Sequence, residues 1–142
     1  MKTGENVAGA VAENKPPRRI SIVDDDASIR AALQSLMRSV QFDAETFASA
    51  EEFLESERAS DTSCLILDVQ LPGMSGLELQ NRLNRERRGI PIVFITAHSE
   101  EPLRQRALQG GAVGFLSKPV RREALFKAIQ AAIEDEASPN VL

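Results

Sequence analysis

The chain predicts an α/β fold, a doubly wound five-stranded parallel sheet with helices on both faces, and three observations predict it. Short apolar runs alternate with segments of helical periodicity five times along 142 residues, the pattern of strand-helix units joined by right-handed crossovers. The run Cys64-Leu65-Ile66-Leu67 is apolar at consecutive positions, as a strand covered on both faces must be. Four runs stop at a residue suited to phosphate or metal chemistry: Ile20 to Val23 at Asp24-Asp25-Asp26, Cys64 to Leu67 at Asp68, Ile92 to Ile95 at Thr96, and Val113 to Ser117 at Lys118. Parallel strands end on a common edge, and that edge is where open α/β sheets bind ligands.

Each element has its own local signal. The first strand follows Arg18-Arg19, and the helix after it carries Ile29, Leu33, Leu36, Met37 and Val40 on one face, with Asp26 placed to cap its start. Phe42 to Phe47 reads as the second strand. Ser49 and Glu52 have the spacing of a capping box before a helix that buries Phe53 and Leu54. The third strand, Cys64 to Asp68, leads into a loop with Pro72, Gly73 and Gly76, where Ser75 and Glu78 form a second capping box. The third helix turns Leu79 and Leu83 inward and Arg82, Arg85, Arg87 and Arg88 outward, with Gly89 as its stop. That arginine face reads first as solvated surface and second as a docking patch.

Ile90-Pro91 opens the fourth strand, at whose first position proline is tolerated. A helix around Pro102 to Leu108 ends at Gly110-Gly111, the fifth strand follows, and Lys118-Pro119 introduces a last helix with Leu125, Ala128, Ile129, Ala132 and Ile133 on its inner stripe. Five such units at this length make a flavodoxin-like (βα)5 three-layer sandwich. Residues 1–17 hold no continuous apolar stretch and read as a disordered leader, residues 18–136 as one domain and residues 137–142 as a short tail. That tail is too short for an appended DNA-binding or catalytic domain.

A mix of 42% hydrophobic and 27% charged residues is that of a globular domain with a proper core, and a net charge of −4 argues against direct contact with nucleic acid. No run approaches the length of a membrane span. The single cysteine, Cys64, lies in an apolar strand and has no second cysteine to pair with. A cytoplasmic protein is the expectation.

Asp24, Asp25 and Asp68 would sit together with no histidine or cysteine nearby, an all-oxygen set suited to Mg²⁺, with Mn²⁺ as the alternative ion. Without metal, two carboxylates about 4 Å apart repel by roughly 4 kcal/mol at an effective dielectric near 20, so strain is expected in the cluster. A carboxylate is also a competent nucleophile toward phosphorus, and Asp68, at the centre of the sheet, is the best placed. Phosphoryl transfer needs positioning and charge neutralisation above all, and the Lys118 ammonium and Thr96 hydroxyl are groups of that kind.

The acid pair in Ile22-Val23-Asp24-Asp25-Asp26, the segment from Leu67-Asp68-Val69-Gln70 through Pro72-Gly73-Met74-Ser75-Gly76, Ile95-Thr96-Ala97 and Phe115-Leu116-Ser117-Lys118-Pro119 together resemble the receiver domains of two-component response regulators, from about Arg19 to Glu136. The resemblance implies that Asp68 accepts phosphate from a sensor histidine kinase. Asp24, Asp25, Asp68 and the Gln70 backbone carbonyl would hold Mg²⁺, while Thr96 and Lys118 grip the phosphoryl group. It also implies a cis bond before Pro119, a switch in which Thr96 moves and Phe115 turns inward, and tuning of phosphate lifetime by Gln70 and His98.

Such a protein is a phosphoacceptor switch that assists its own phosphotransfer and slow autodephosphorylation. Without an output domain it would stand alone, signalling through its fourth helix, fifth strand and fifth helix to a downstream protein or phosphotransfer protein, or through a phosphorylation-promoted homodimer. Two other readings compete: a phosphate-independent pseudo-receiver, and an aspartate-nucleophile phosphatase of the haloacid dehalogenase type. The second wants another aspartate two residues after the nucleophile, where this chain has Gln70.

Overall fold

The structure, a computed structural model, describes residues 18–137, so the expected leader and all of the expected tail except Ala137 lie outside the described residues. Five strands, β1 (Arg19–Val23), β2 (Asp43–Phe47), β3 (Cys64–Asp68), β4 (Ile92–Thr96) and β5 (Gly114–Ser117), alternate with helices α1 (Ala27–Ser39), α2 (Ala50–Glu55), α3 (Gly76–Arg85), α4 (Glu101–Gln109) and α5 (Arg122–Ala137). All strand pairs are parallel and the order across the sheet is β2-β1-β3-β4-β5. The order reverses between β1 and β3, and the crevice above that reversal is the ligand position of open α/β sheets.

Each face of the sheet has its own core. Leu65, Leu67 and Phe94 pack with Phe53, Leu79 and Leu83 of α2 and α3. Their strand neighbours Cys64, Ile66 and Ile95 face the other way, against Met37 of α1 and Leu125 and Ile129 of α5. This two-sided burial is why β3 is apolar at every position before Asp68. Among the described residues no helix is long and apolar enough to cross a membrane.

Local details differ from the sequence expectation in four places. Val40 sits at the C-cap of α1 and is 40% exposed, because the helix stops one residue before it reaches the core stripe. At α2, Ser49 accepts from the Glu52 amide as expected, but the Glu52 carboxylate accepts from the Ala48 amide at 2.9 Å instead of from Ser49. Helix α3 ends before Gly89: Arg87 takes the left-handed conformation at φ 56°, and the Arg87 and Arg88 amides donate to the carbonyls of Asn84 and Leu83. These two bonds satisfy the last-turn carbonyls without a glycine. Finally, Arg19 lies within β1, 4% exposed, and pairs with Asp43 and Glu45 of β2.

Candidate functional site

Strand register brings the acids together. Val23 is paired with Leu67, so the next residues, Asp24 just past β1 and Asp68 at the end of β3, stand side by side at the point where the strand order reverses. Each carboxylate is oriented by its own turn: Asp24 Oδ1 accepts from the Asp26 amide at 2.9 Å, and Asp68 Oδ1 from the Gln70 amide at 3.1 Å. The Arg30 guanidinium on α1 donates to the Asp24 carbonyl at 2.8 Å and fixes the loop from outside. Asp26 is committed to capping α1 through the amides of Ser28 and Ile29, which leaves Asp25 exposed. One oxygen from each of Asp24, Asp25 and Asp68 lies within 4.8 Å of the others.

Lys118 faces this cluster. Its Nζ stands 3.0 Å from Asp24 Oδ2 and 3.0 Å from Asp68 Oδ2, after a cis peptide bond between Lys118 and Pro119. The strain expected from adjacent carboxylates is therefore reduced by a cation between them. Asp24 Oδ2 is fully buried and receives no hydrogen bond of good alignment, the ammonium being its close charged neighbour. A buried oxygen in that condition, within an all-oxygen set, fits a hard divalent cation such as Mg²⁺.

Thr96 is buried at the end of β4, where its hydroxyl donates to the His98 carbonyl at 3.0 Å and accepts from the His98 amide at 2.9 Å. Phe115 is half-buried, its ring centroid 6.3 Å from that of Phe94. Gln70 and His98 are both exposed. The structure thus brings Asp24, Asp25, Asp68 and Lys118 into one site, with Thr96 one strand away and engaged elsewhere.

Burial raises the Asp68 pKa, against the hydrogen bonds from Lys118 and the Gln70 amide, and the charge of Asp24 adds to the rise. Burial alone would lower the Lys118 pKa, but its close pairing with the Asp24 and Asp68 carboxylates and their charges outweigh this and raise it. A carboxyl with a higher pKa folded than unfolded contributes stability below its unfolded pKa, and loses it as pH rises through the folded value. Asp68→Asn removes that loss. The metal-free variant is expected to melt a few degrees above wild type at pH 7, about what 1 kcal/mol produces in a domain of this size, with the gap closing toward pH 3. Calorimetry showing a lower melting temperature at pH 7 would mean that the Lys118 bond outweighs burial.

Near Asp68, one residue that the sequence reading placed only in a loop, Gly76, and one that it missed, Glu51, shape the site. A Cβ on Gly76 would stand 2.2 Å from the Asp68 carbonyl oxygen, so α3 starts pressed against the end of β3. The visible signal was a glycine at the first position after the Ser75 cap, where helices have no need of one. The Glu51 carboxylate, on α2, accepts from the Met74 amide at 2.9 Å and ties down the loop that follows Asp68. No sequence spacing announces that contact.

The fold and site define an α/β protein with an oxygen-only acidic crevice and a facing lysine. Residues 20–130 match the family of the response regulator receiver domain. The chain is 50% identical over 115 residues to Nodulation protein W of Bradyrhizobium diazoefficiens, covering 81% of this chain and 51% of that protein. It is 45% identical over 115 residues to the response regulator protein TodT of Pseudomonas putida, with coverage of 81% and 51%. The solved response regulator StyR superposes with a TM-score of 0.79 at 45% identity, over 87% of this chain and 62% of that one.

The chain belongs to the receiver domain family of two-component response regulators. It spans about half the length of the curated relatives it matches. Membership of a phosphoacceptor family sets aside the phosphatase reading.

Proposed function

We propose that Asp68 is the phosphoacceptor of this receiver and takes its phosphoryl group from the phosphohistidine of a sensor histidine kinase. The observation that carries the reading is a nearly buried carboxylate, 3% exposed, bonded to Lys118 at 3.0 Å within a cluster of three acids. Asp24, Asp25, Asp68 and the Gln70 carbonyl would hold Mg²⁺, which when bound supplies positive charge to the transferred oxygens. Lys118 exchanges its bond to Asp68 for one to a phosphoryl oxygen. Thr96 turns its hydroxyl toward another phosphoryl oxygen and gives up its bonds to His98. Phe115, packed beside Phe94 on the neighbouring strand, follows into the space that Thr96 vacates.

The consequence is read on α4, β5 and α5, by a downstream protein, a phosphotransfer protein or a second phosphorylated copy. The surface that reads it lies in the same polypeptide or in another. Gln70 and His98, both exposed and each two residues beyond Asp68 and Thr96, would set how readily water reaches the acyl phosphate. A cytoplasmic location and the absence of direct nucleic-acid contact by this domain belong to the same reading. With acetyl phosphate and Mg²⁺, intact mass should rise by one phosphoryl group in the wild type and not in Asp68→Asn. Undiminished labelling of the variant sinks the assignment.

A further inference from the structure

Helix α4 is attached differently at its two ends. Ala107 is its buried side chain and Leu103 is only partly covered, so apolar burial holds it weakly. Two amides of α3 hold its C-terminal end instead. Gln80, 2% exposed, donates from Nε2 to the Ala107 carbonyl at 2.9 Å, and Asn84 donates from Nδ2 to the Gly110 carbonyl at 2.9 Å. Both acceptors lie at the end of the helix, where carbonyls run out of intrahelical partners, and the Ala107 carbonyl accepts from the Ala112 amide at 3.1 Å as well as from Gln80. Gly110 is shaped by this clamp: a Cβ there would stand 2.5 Å from Gln80 Oε1 and 2.7 Å from Nε2.

Among the described residues, the N-terminal end has no such hold. Its N-cap, Glu100, makes no side-chain capping bond, and residues 97–100 are exposed. The segment leading into the helix is tied to β4 through the two bonds between the Thr96 hydroxyl and the His98 backbone.

We propose that Gln80 and Asn84 are positioning residues that make the C-terminal end of α4 the fixed point of the switch, so that its N-terminal end is the part that moves. This rests on Asp68 being phosphorylated. When Thr96 releases His98, strand β4 stays in place, paired on both sides to β3 and β5, while residues 97–100 lose their tie. With the far end clamped, the freed end swings about Gly110, and the displacement falls along the helix toward that residue. A loosened clamp lets the unphosphorylated helix sample the same positions, and the contrast between the two states shrinks.

Hydrogen exchange on the full chain, before and after acetyl phosphate with Mg²⁺, tests this while intact mass follows phosphoryl uptake. In the wild type, protection should change in residues 98–104 and hold in residues 107–112. Gln80→Met, and the milder surface variant Asn84→Ala, should speed exchange of residues 107–112 in the unphosphorylated protein by up to roughly tenfold, one lost hydrogen bond. Phosphorylation should then alter both halves of the helix. Equal change at both ends of α4 in the wild type, or unchanged exchange of residues 107–112 in both variants, overturns the clamp while leaving Asp68 as the acceptor. Failure of the wild type to take up phosphate removes the phosphoacceptor reading and the clamp proposal together.

Discussion

Replacing Lys118 with methionine is expected to slow phosphorylation of Asp68 by roughly a hundredfold or more, the usual cost of removing one charge-stabilising donor from a transferring group. The same change should destabilise the metal-free protein. Lys118 stands between two buried carboxylates, and removing one partner of a buried ion pair costs about 3–5 kcal/mol. Two features reduce that figure here. The Lys118 side chain is still 18% exposed, and Asp68, already raised in pKa by burial, can take up a proton when its cation is gone. A loss on the order of 2 kcal/mol is the expectation.

The pH profile distinguishes this account from simple loss of packing. A lysine with a higher pKa folded than unfolded contributes stability that is complete below the unfolded value and lost as pH rises through the folded one. The raised pKa of Lys118 therefore predicts that wild type loses stability in alkali while Lys118→Met has no such component to lose. Mg²⁺ should raise the melting temperature of the variant more than that of wild type, since it would supply the missing positive charge. A variant with wild-type melting temperature in the absence of metal would show that Lys118 does not hold the acids together.

The layout of the molecule was legible because its signals are local and repeated. Four of the five strands are apolar runs that end at a site residue, β2 (Asp43–Phe47) being the exception, and parallel strands have one possible edge on which to collect Asp24, Asp68, Thr96 and Lys118. What escaped the sequence depends on pairings between distant residues. Apolar periodicity says that Lys118 directly follows β5, but its contacts with both acids follow from how far the side chain reaches across the sheet edge. The stop of α3 was assigned to Gly89 because glycine enters the left-handed region without strain, whereas Arg87 takes that conformation at φ 56° and two backbone bonds hold it there. The apolar run starts after Arg19, although the carboxylates of Asp43 and Glu45 on β2 let that arginine lie within β1.

Gly76→Ala carries the second large expected effect, on stability and on the site together. The added methyl group would stand 2.2 Å from the Asp68 carbonyl oxygen and 3.0 Å from the Val69 Cα, and both are backbone, so no side chain can rotate to make room. Overpacking typically costs about 1–3 kcal/mol, and a clash against backbone belongs at the upper end. That corresponds to a fall in melting temperature of roughly 10 °C for a domain of this size.

Relief requires α3 to back away from β3 or the end of β3 to shift, and either move strains the bond from the Gly76 amide to the Val69 carbonyl. It also disturbs the turn in which the Gln70 amide holds Asp68 Oδ1. Phosphorylation by acetyl phosphate should therefore slow even at a temperature where the variant is fully folded. Gly89→Ala is the control: that glycine has φ +66° with nothing within 4 Å of its Cβ position, so only backbone strain of about 1 kcal/mol is expected, with an unchanged labelling rate. If Gly76→Ala labels as fast as Gly89→Ala, then the start of α3 is not what holds Asp68 in position.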